Sequence, residues 1–314
     1  MHTGLKITAF AAALAATFGT AYGVGESLDP VVADRAPAHD ERHAPPSPEA
    51  DGRAGRDTPP AGGLQISESG YRLDLRTPRV TAGHRTELRF AVRDEHGRAV
   101  TEYRREHDKE LHLIIASRDL LTYRHLHPTR AADGTWATPV DLPRAGGYRV
   151  FADFTPAAEG ARNLTLGADL AASGPYRPQE LPRAGGTARV DGYEVELTGA
   201  LRPGRASELN LSVSRGGKPV TDLQPYLGAY GHLVALRAGD LAYLHVHPGG
   251  EPGGRTGSGP AVSFMATAPS GGSYRLFLDF KHDGVVRTAA FTVHAGAAQE
   301  ADPPAPEHSD DHGH

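Results

Sequence analysis

HLIIASRDLLTYRHLHP, from His112 to Pro128, decides the fold, because HLVALRAGDLAYLHVHP, from His232 to Pro248, repeats it further along the chain. His112, His125, His127 and Pro128 align without a gap onto His232, His245, His247 and Pro248, and Leu113, Leu121 and Tyr123 onto Leu233, Leu241 and Tyr243. Most other positions differ, so the duplicated module has drifted elsewhere while both copies keep three histidines and a proline. Val, Ile, Leu and Tyr crowd both stretches. Their centres, Arg118 and Asp119 in one and Ala238, Gly239 and Asp240 in the other, are polar or small. Each stretch therefore reads as a hairpin of two short strands.

Strand geometry gives the histidines a common target. Side chains alternate between faces, so both histidines of His-x-His point the same way, about 6.5–7 Å apart. A turn at residues 118 and 119 is expected to set His112 opposite His125, and one at 238 and 239 to set His232 opposite His245. Cross-strand Cβ atoms lie about 4.5–5.5 Å apart, within reach of an ion bound at about 2.0 Å from each nitrogen. The pattern predicts two metal sites of form His-x12-His-x-His: His112, His125 and His127 in one copy, His232, His245 and His247 in the other. A one-residue slip would move His112 to the other face. The competing reading makes the histidines structural, bonded to loop carbonyls, in a non-catalytic cell-envelope module whose tandem sandwiches present loops to a protein partner. Pro128 and Pro248 end strands in either case.

Working outward, GYRLDL near Tyr71 matches GYEVEL near Tyr193, and TELRFAV from Thr86 matches SELNLSV from Ser207. GYRVFADF ending at Phe154 matches SYRLFLDF ending at Phe280, after a six-residue insertion in the Gly-rich loop GGEPGGRTGSGP, read as a flexible connection, with a lid over the second site as the alternative. Apolar residues alternate (Leu88, Phe90, Val92; Leu209, Leu211, Val213; Tyr274, Leu276, Leu278) and Gly-rich turns punctuate them. About seven short strands per block of roughly 110 residues is the pattern of an antiparallel β-sandwich of immunoglobulin-like or cupredoxin-like type. The expected layout is an all-β chain with sandwich repeats at 64–172 and 187–295 and a Pro- and Gly-rich linker at 173–186. Polar tracts at 26–63 and 296–314 are expected to be disordered.

The 314 residues include no cysteine, two methionines and a formal net charge of −5. Thiolate sites, disulfides and lipid attachment through cysteine are thereby excluded, and Cu(I) is poorly served. Imidazole nitrogens suit Cu(II), Zn(II) or Ni(II). Scattered arginines on a mildly acidic chain argue against a nucleic-acid partner. Lys6 precedes an uncharged, Ala-rich run from Ile7 to Val24, about 27 Å long if helical, within an expected export segment at 1–25. Cleaved signal peptide and retained anchor are both open. The chain is expected to be exported, either secreted or held on the outer face of the cytoplasmic membrane, with membrane contact through residues 7–24 if uncleaved.

HLIIASRDLLTYRHLHP followed by DGTW and YRVFADF resembles a group of secreted bacterial proteins loosely grouped with YtkA-like and FixH-like sandwich modules and, more distantly, CopC-like copper-handling sandwiches. The resemblance covers the repeats and is specific at His-x-His-Pro. It implies an exported β-sandwich concerned with copper or another transition metal and, as partner, an envelope metal-handling protein. The chain departs from the CopC-like pattern: no histidine adjoins the expected cleavage point. Its Asp-x-His strings are Asp94 to His96, in an expected turn, and Asp310 to His312, in the tail.

Asp153 and Asp279 align across the repeats and are expected to cap turns, with a role beside a metal site as the alternative. His282 is expected at the surface, as are His84, His96, His107 and His294, and the unrepeated Trp136 in the core. His39, His43, His308, His312 and His314 offer mobile imidazoles for weak metal capture. No nucleophile elbow, zinc-protease pair or recurrent carboxylate dyad is present, so no enzyme is expected.

Overall fold

The computed structural model describes residues 61–244, 246–249 and 259–296, all within one compact unit spanning Asp51–His314. The expected export segment, most of the 26–63 tract, most of the Gly-rich loop and the tail after Gly296 lie outside the described residues. Those described form strands and turns only, and none of their segments is a helix long and apolar enough to cross a membrane.

The first repeat runs β1 (Ser67–Glu68), β2 (Tyr71–Leu75), β3 (Arg79–Thr81), β4 (Thr86–Arg93), β5 (Tyr103–Arg104), β6 (Leu111–Ser117), β7 (Tyr123–Leu126), β8 (Thr129–Arg130), β9 (Trp136–Val140), β10 (Gly146–Pro156) and β11 (Leu164–Ser173). One sheet has the order β1-β2-β4-β9-β8. The other has β3-β11-β10-β6-β7, with β5 on β10. The second repeat runs β12 (Thr187–Val190), β13 (Tyr193–Thr198), β14 (Ala206–Arg215), β15 (Lys218–Pro219), β16 (His232–Arg237), β17 (Tyr243–Leu244), β18 (Val246–Pro248), β19 (Ala261–Thr267), β20 (Gly272–His282) and β21 (Val285–Ala295). Its sheets are β12-β13-β14-β19-β18, with β15 on β14, and β17-β16-β20-β21. The protein is all-β, two tandem sandwiches, as the alternation predicts.

Alternate residues fill each sandwich: Leu88, Phe90 and Val92 with Val150, Ala152 and Phe154 in the first, Leu209, Leu211 and Val213 with Tyr274, Leu276 and Leu278 in the second. Trp136 is buried beside Phe90, with its indole N–H donating to the Tyr103 hydroxyl at 3.3 Å. Alternation fails in the β6 and β16 sheets because these are covered on both faces. A third core, made of Ile114, Ala116, Tyr123 and Phe151 from the first repeat and Val234, Leu236, Leu241 and Phe277 from the second, joins the sandwiches. Tyr123 stacks on Phe277 with ring centroids 4.1 Å apart, and Tyr243 meets Phe151 at 5.6 Å. These two contacts exchange equivalent residues, the mark of a pseudo-two-fold interface. Continuous apolar runs such as LIIA and LVAL are the sequence signature of a doubly covered sheet.

The expected disordered tract ends before Gly63. Gly62 and Tyr243 exchange main-chain hydrogen bonds at 2.9 and 3.0 Å, Gly63 N–H donates to Thr165 O at 2.7 Å, and Arg149 Nε donates to Gly63 O at 2.6 Å. The segment straps the second repeat to the first. Glycine is required there: a Cβ on Gly63, whose φ is +72°, would lie 2.4 Å from the Phe151 ring.

Candidate metal centre

The hairpin register differs from the expected one by two residues. Ile114, not His112, pairs with His125, and in the second repeat Leu236 pairs with Tyr243. The cause is the loop: Ser117 N–H bonds Thr122 O, leaving four residues between the strands rather than a tight turn, and the Ser117 hydroxyl receives the Thr122 and Leu121 N–H groups. An even offset preserves parity, so His112, His125 and His127 still share a face. One nitrogen from each lies within 4.8 Å of the others.

Ring spacing is what a shared ion requires. Nitrogens at about 2.0–2.1 Å from a tetrahedral metal put imidazole centroids about 5.2 Å apart. The observed separations are 5.4 Å for His112 and His125, 5.2 Å for His112 and His127 and 4.9 Å for His125 and His127. A square-planar ion would need neighbouring rings at about 4.5 Å and opposite rings at about 6.4 Å.

The surrounding partners fix the protons. His112 Nε2–H donates to the Glu106 carbonyl at 3.1 Å, which leaves its Nδ1 as a lone pair. His125 Nδ1–H donates to Asp279 Oδ2 at 2.8 Å. His112 Nδ1 and His125 Nε2 face each other at 3.2 Å, close to the nitrogen–nitrogen edge of about 3.3 Å in a tetrahedral site. The buried Nε2 of His127 has no hydrogen-bond partner among the described residues.

The electrostatics keep the nitrogens free. Burial, then the neighbouring His125, lowers the His112 pKa to about 4. Burial, then His125 and His112, lowers His127 to about 3. Asp279, 2 % exposed, also receives the Tyr123 hydroxyl at 3.4 Å and the Thr288 hydroxyl. Burial, then the Asp279 charge, pushes the Tyr123 phenol well above its ordinary range, so it stays a donor.

The second repeat enters this centre instead of standing apart. His232 lies 6.1 Å from His125 and 6.4 Å from His112, ring to ring. Its Nε2–H donates to the Tyr226 carbonyl at 2.8 Å as His112 does to Glu106, and burial lowers its pKa to about 4. Both carbonyls sit in two-residue turns with positive φ at both central residues, His107 and Asp108 in one and Leu227 and Gly228 in the other. His245 and the side chain of His247 lie outside the described residues. The backbone of His247 pairs with Met265 in the opposite sheet, since β17 ends at Leu244.

Two expectations are corrected. Asp153 and Asp279 cap no turn: both are central in long strands, Asp279 holding His125 and Asp153 receiving Asn163 Nδ2 at 2.9 Å and Thr165 Oγ1 at 2.8 Å. His282 is buried between the Tyr193 hydroxyl at 2.7 Å and Asp222 at 3.0 Å. His107, exposed as expected, nonetheless stands 5.2 Å from His232 at the rim of the centre. Recurrence of Asp153 and Asp279 inside apolar runs was the signal available for the missed carboxylate; nothing local marked His107.

A tandem β-sandwich with a buried tri-histidine centre at its inter-repeat face is the class this geometry defines. The chain belongs to the family described as Domain of unknown function (DUF8832), whose profile matches twice, over residues 66–166 and 188–297. No curated protein matches the chain. Among solved structures, it is similar to FdeC, an Escherichia coli adhesin, at 17 % identity over 73 % of this chain and 65 % of that one, with a TM-score of 0.23. It is also similar to InvD of Yersinia pseudotuberculosis at 11 % identity over 76 % and 62 %, TM-score 0.23. The chain thus spans less than two thirds of either neighbour, and at these scores neither likeness bears on function.

Proposed function

We propose that this protein binds a divalent transition metal outside the cytoplasm through His112, His125 and His127, for buffering or for delivery to an envelope metal-handling partner. The observation that carries the reading is the convergence of three ring nitrogens, with the other ring N–H groups of His112 and His125 going to a carbonyl and a carboxylate. That is how metal-ligating histidines are commonly oriented. Ring separations near 5.2 Å favour a tetrahedral ion such as Zn(II) over square-planar Cu(II). The export reading rests on the apolar run from Ile7 to Val24. His232, His245 and His247 remain the proposed second set, by equivalence of sequence. No catalytic role is proposed.

Calorimetric titration of the metal-stripped full chain with Zn(II), Cu(II) and Co(II) tests this. The expected result includes a tight site lost in His125→Ala and in His127→Ala, with intense tetrahedral Co(II) absorption in the visible. Tight binding unchanged in both variants would sink the reading. In that case an extra proton shared between His112 and His125 would be what satisfies the pair.

A further inference from the structure

His112 and His125 of the tri-histidine centre line a cavity of about 270 Å³ between the repeats, and the same wall carries Glu106, His107, Asp153 and His232. His107 and His232 have ring centroids 5.2 Å apart, the separation of two imidazoles on one ion. His107 lies on an exposed turn and His232 on a strand edge inside, 6.1 Å from His125. The tautomer of His232 aims its protonated Nε2 at Tyr226 O, which leaves Nδ1 as the ligating nitrogen. The turn that carries His107 meets the Tyr226–Ala229 turn that precedes His232, where a Cβ on Gly228 would lie 3.6 Å from Asp108 Oδ2.

We propose that His107 and His232 form an outer cation position, one imidazole from each repeat, through which a divalent ion passes by ligand exchange into and out of the His112, His125 and His127 centre. Two protein ligands hold an ion weakly and three hold it more firmly. Two divalent charges about 6 Å apart repel strongly in a cavity of low dielectric, so the positions are occupied in turn rather than together. Glu106 and Asp153 give the passage negative walls. The asymmetry is particular to this pair: the counterpart of His107 is Leu227, so the second repeat offers no such rim ligand.

This inference rests on the tri-histidine reading, and kinetics separates the two. Co(II) loading of the metal-stripped full chain and its release to excess chelator are followed by visible absorption in the native protein and in His107→Leu. Leucine is tolerated in this turn because Leu227 occupies the equivalent position with φ of +53°. The expected result is loading and release both slowed at least tenfold, with the equilibrium affinity and final spectrum unchanged. Unaltered rates overturn the passage. A loss of affinity with a changed spectrum overturns it too, by making His107 a ligand of the inner ion. If the native chain shows no Co(II) site sensitive to His125→Ala, the inner centre fails and the passage falls with it; slowed exchange alone leaves the centre intact.

Discussion

The two histidine hairpins share a sequence pattern and a two-residue register offset, yet the chain leaves them differently. In the first repeat β7 stays beside β6 through Leu126, which delivers His125 and His127 next to His112. In the second, β17 ends at Leu244 and β18 joins the opposite sheet. The carboxylate partner is exchanged as well: Asp279 of the second repeat holds His125 of the first, while Asp153 is occupied by Asn163 and Thr165 of its own repeat. Duplication copied the histidines, but packing of one copy on the other gave them unequal surroundings.

The largest expected effect tests whether the repeats depend on each other. Phe277→Ala removes the ring stacked on Tyr123 and should destabilise the protein by about 3–5 kcal/mol in chemical denaturation. It should also weaken metal binding, because the strand carrying Asp279 shifts. Full affinity in this variant would show that the first hairpin works alone.

Next in size is the carboxylate contrast. Asp279→Ala should weaken Zn(II) binding about 10–100-fold by freeing the His125 ring, whereas Asp153→Ala should leave it nearly unchanged. Equal losses in isothermal titration would restore the symmetry that the structure breaks. Gly63→Ala should cost about 1–3 kcal/mol, since φ of +72° and the Phe151 ring both oppose a Cβ. Unchanged thermal stability would show that the strap is dispensable.

The smallest effect is acid sensitivity of the metal-free protein. The folded pKa values of His112, His127 and His232, about 4, 3 and 4, lie below the unfolded value of about 6.5. Neutral rings therefore favour the folded state. Their contribution is full above about pH 6.5 and is lost as pH falls toward 4 and 3. The melting temperature should drop between pH 7 and 4, and His127→Gln should flatten that slope. A slope unchanged by the variant would remove His127 from the explanation.

Legibility followed distance along the chain. The face shared by His112, His125 and His127 was readable because strand parity survives any even register shift, although the loop of residues 118–121 moved the pairing by two. The cross-repeat bond from His125 to Asp279 was not readable. Two aspartates in similar strands look alike until one sheet is laid on another. The apolar runs around Ile114 and Val234 held a hint of that second layer, since a sheet wet on one face alternates and these do not.

By itself the sequence determined an all-β chain, twice repeated, with its histidines grouped on one side of each hairpin, because period-two patterning and turn chemistry act over a few residues. Only the tertiary structure decided that His107, His112 and His125 of the first repeat and His232 of the second converge on one cavity, with Asp279 behind His125. That outcome depends on how two doubly covered sheets stack, through contacts such as Tyr123 on Phe277 that join residues far apart in the chain.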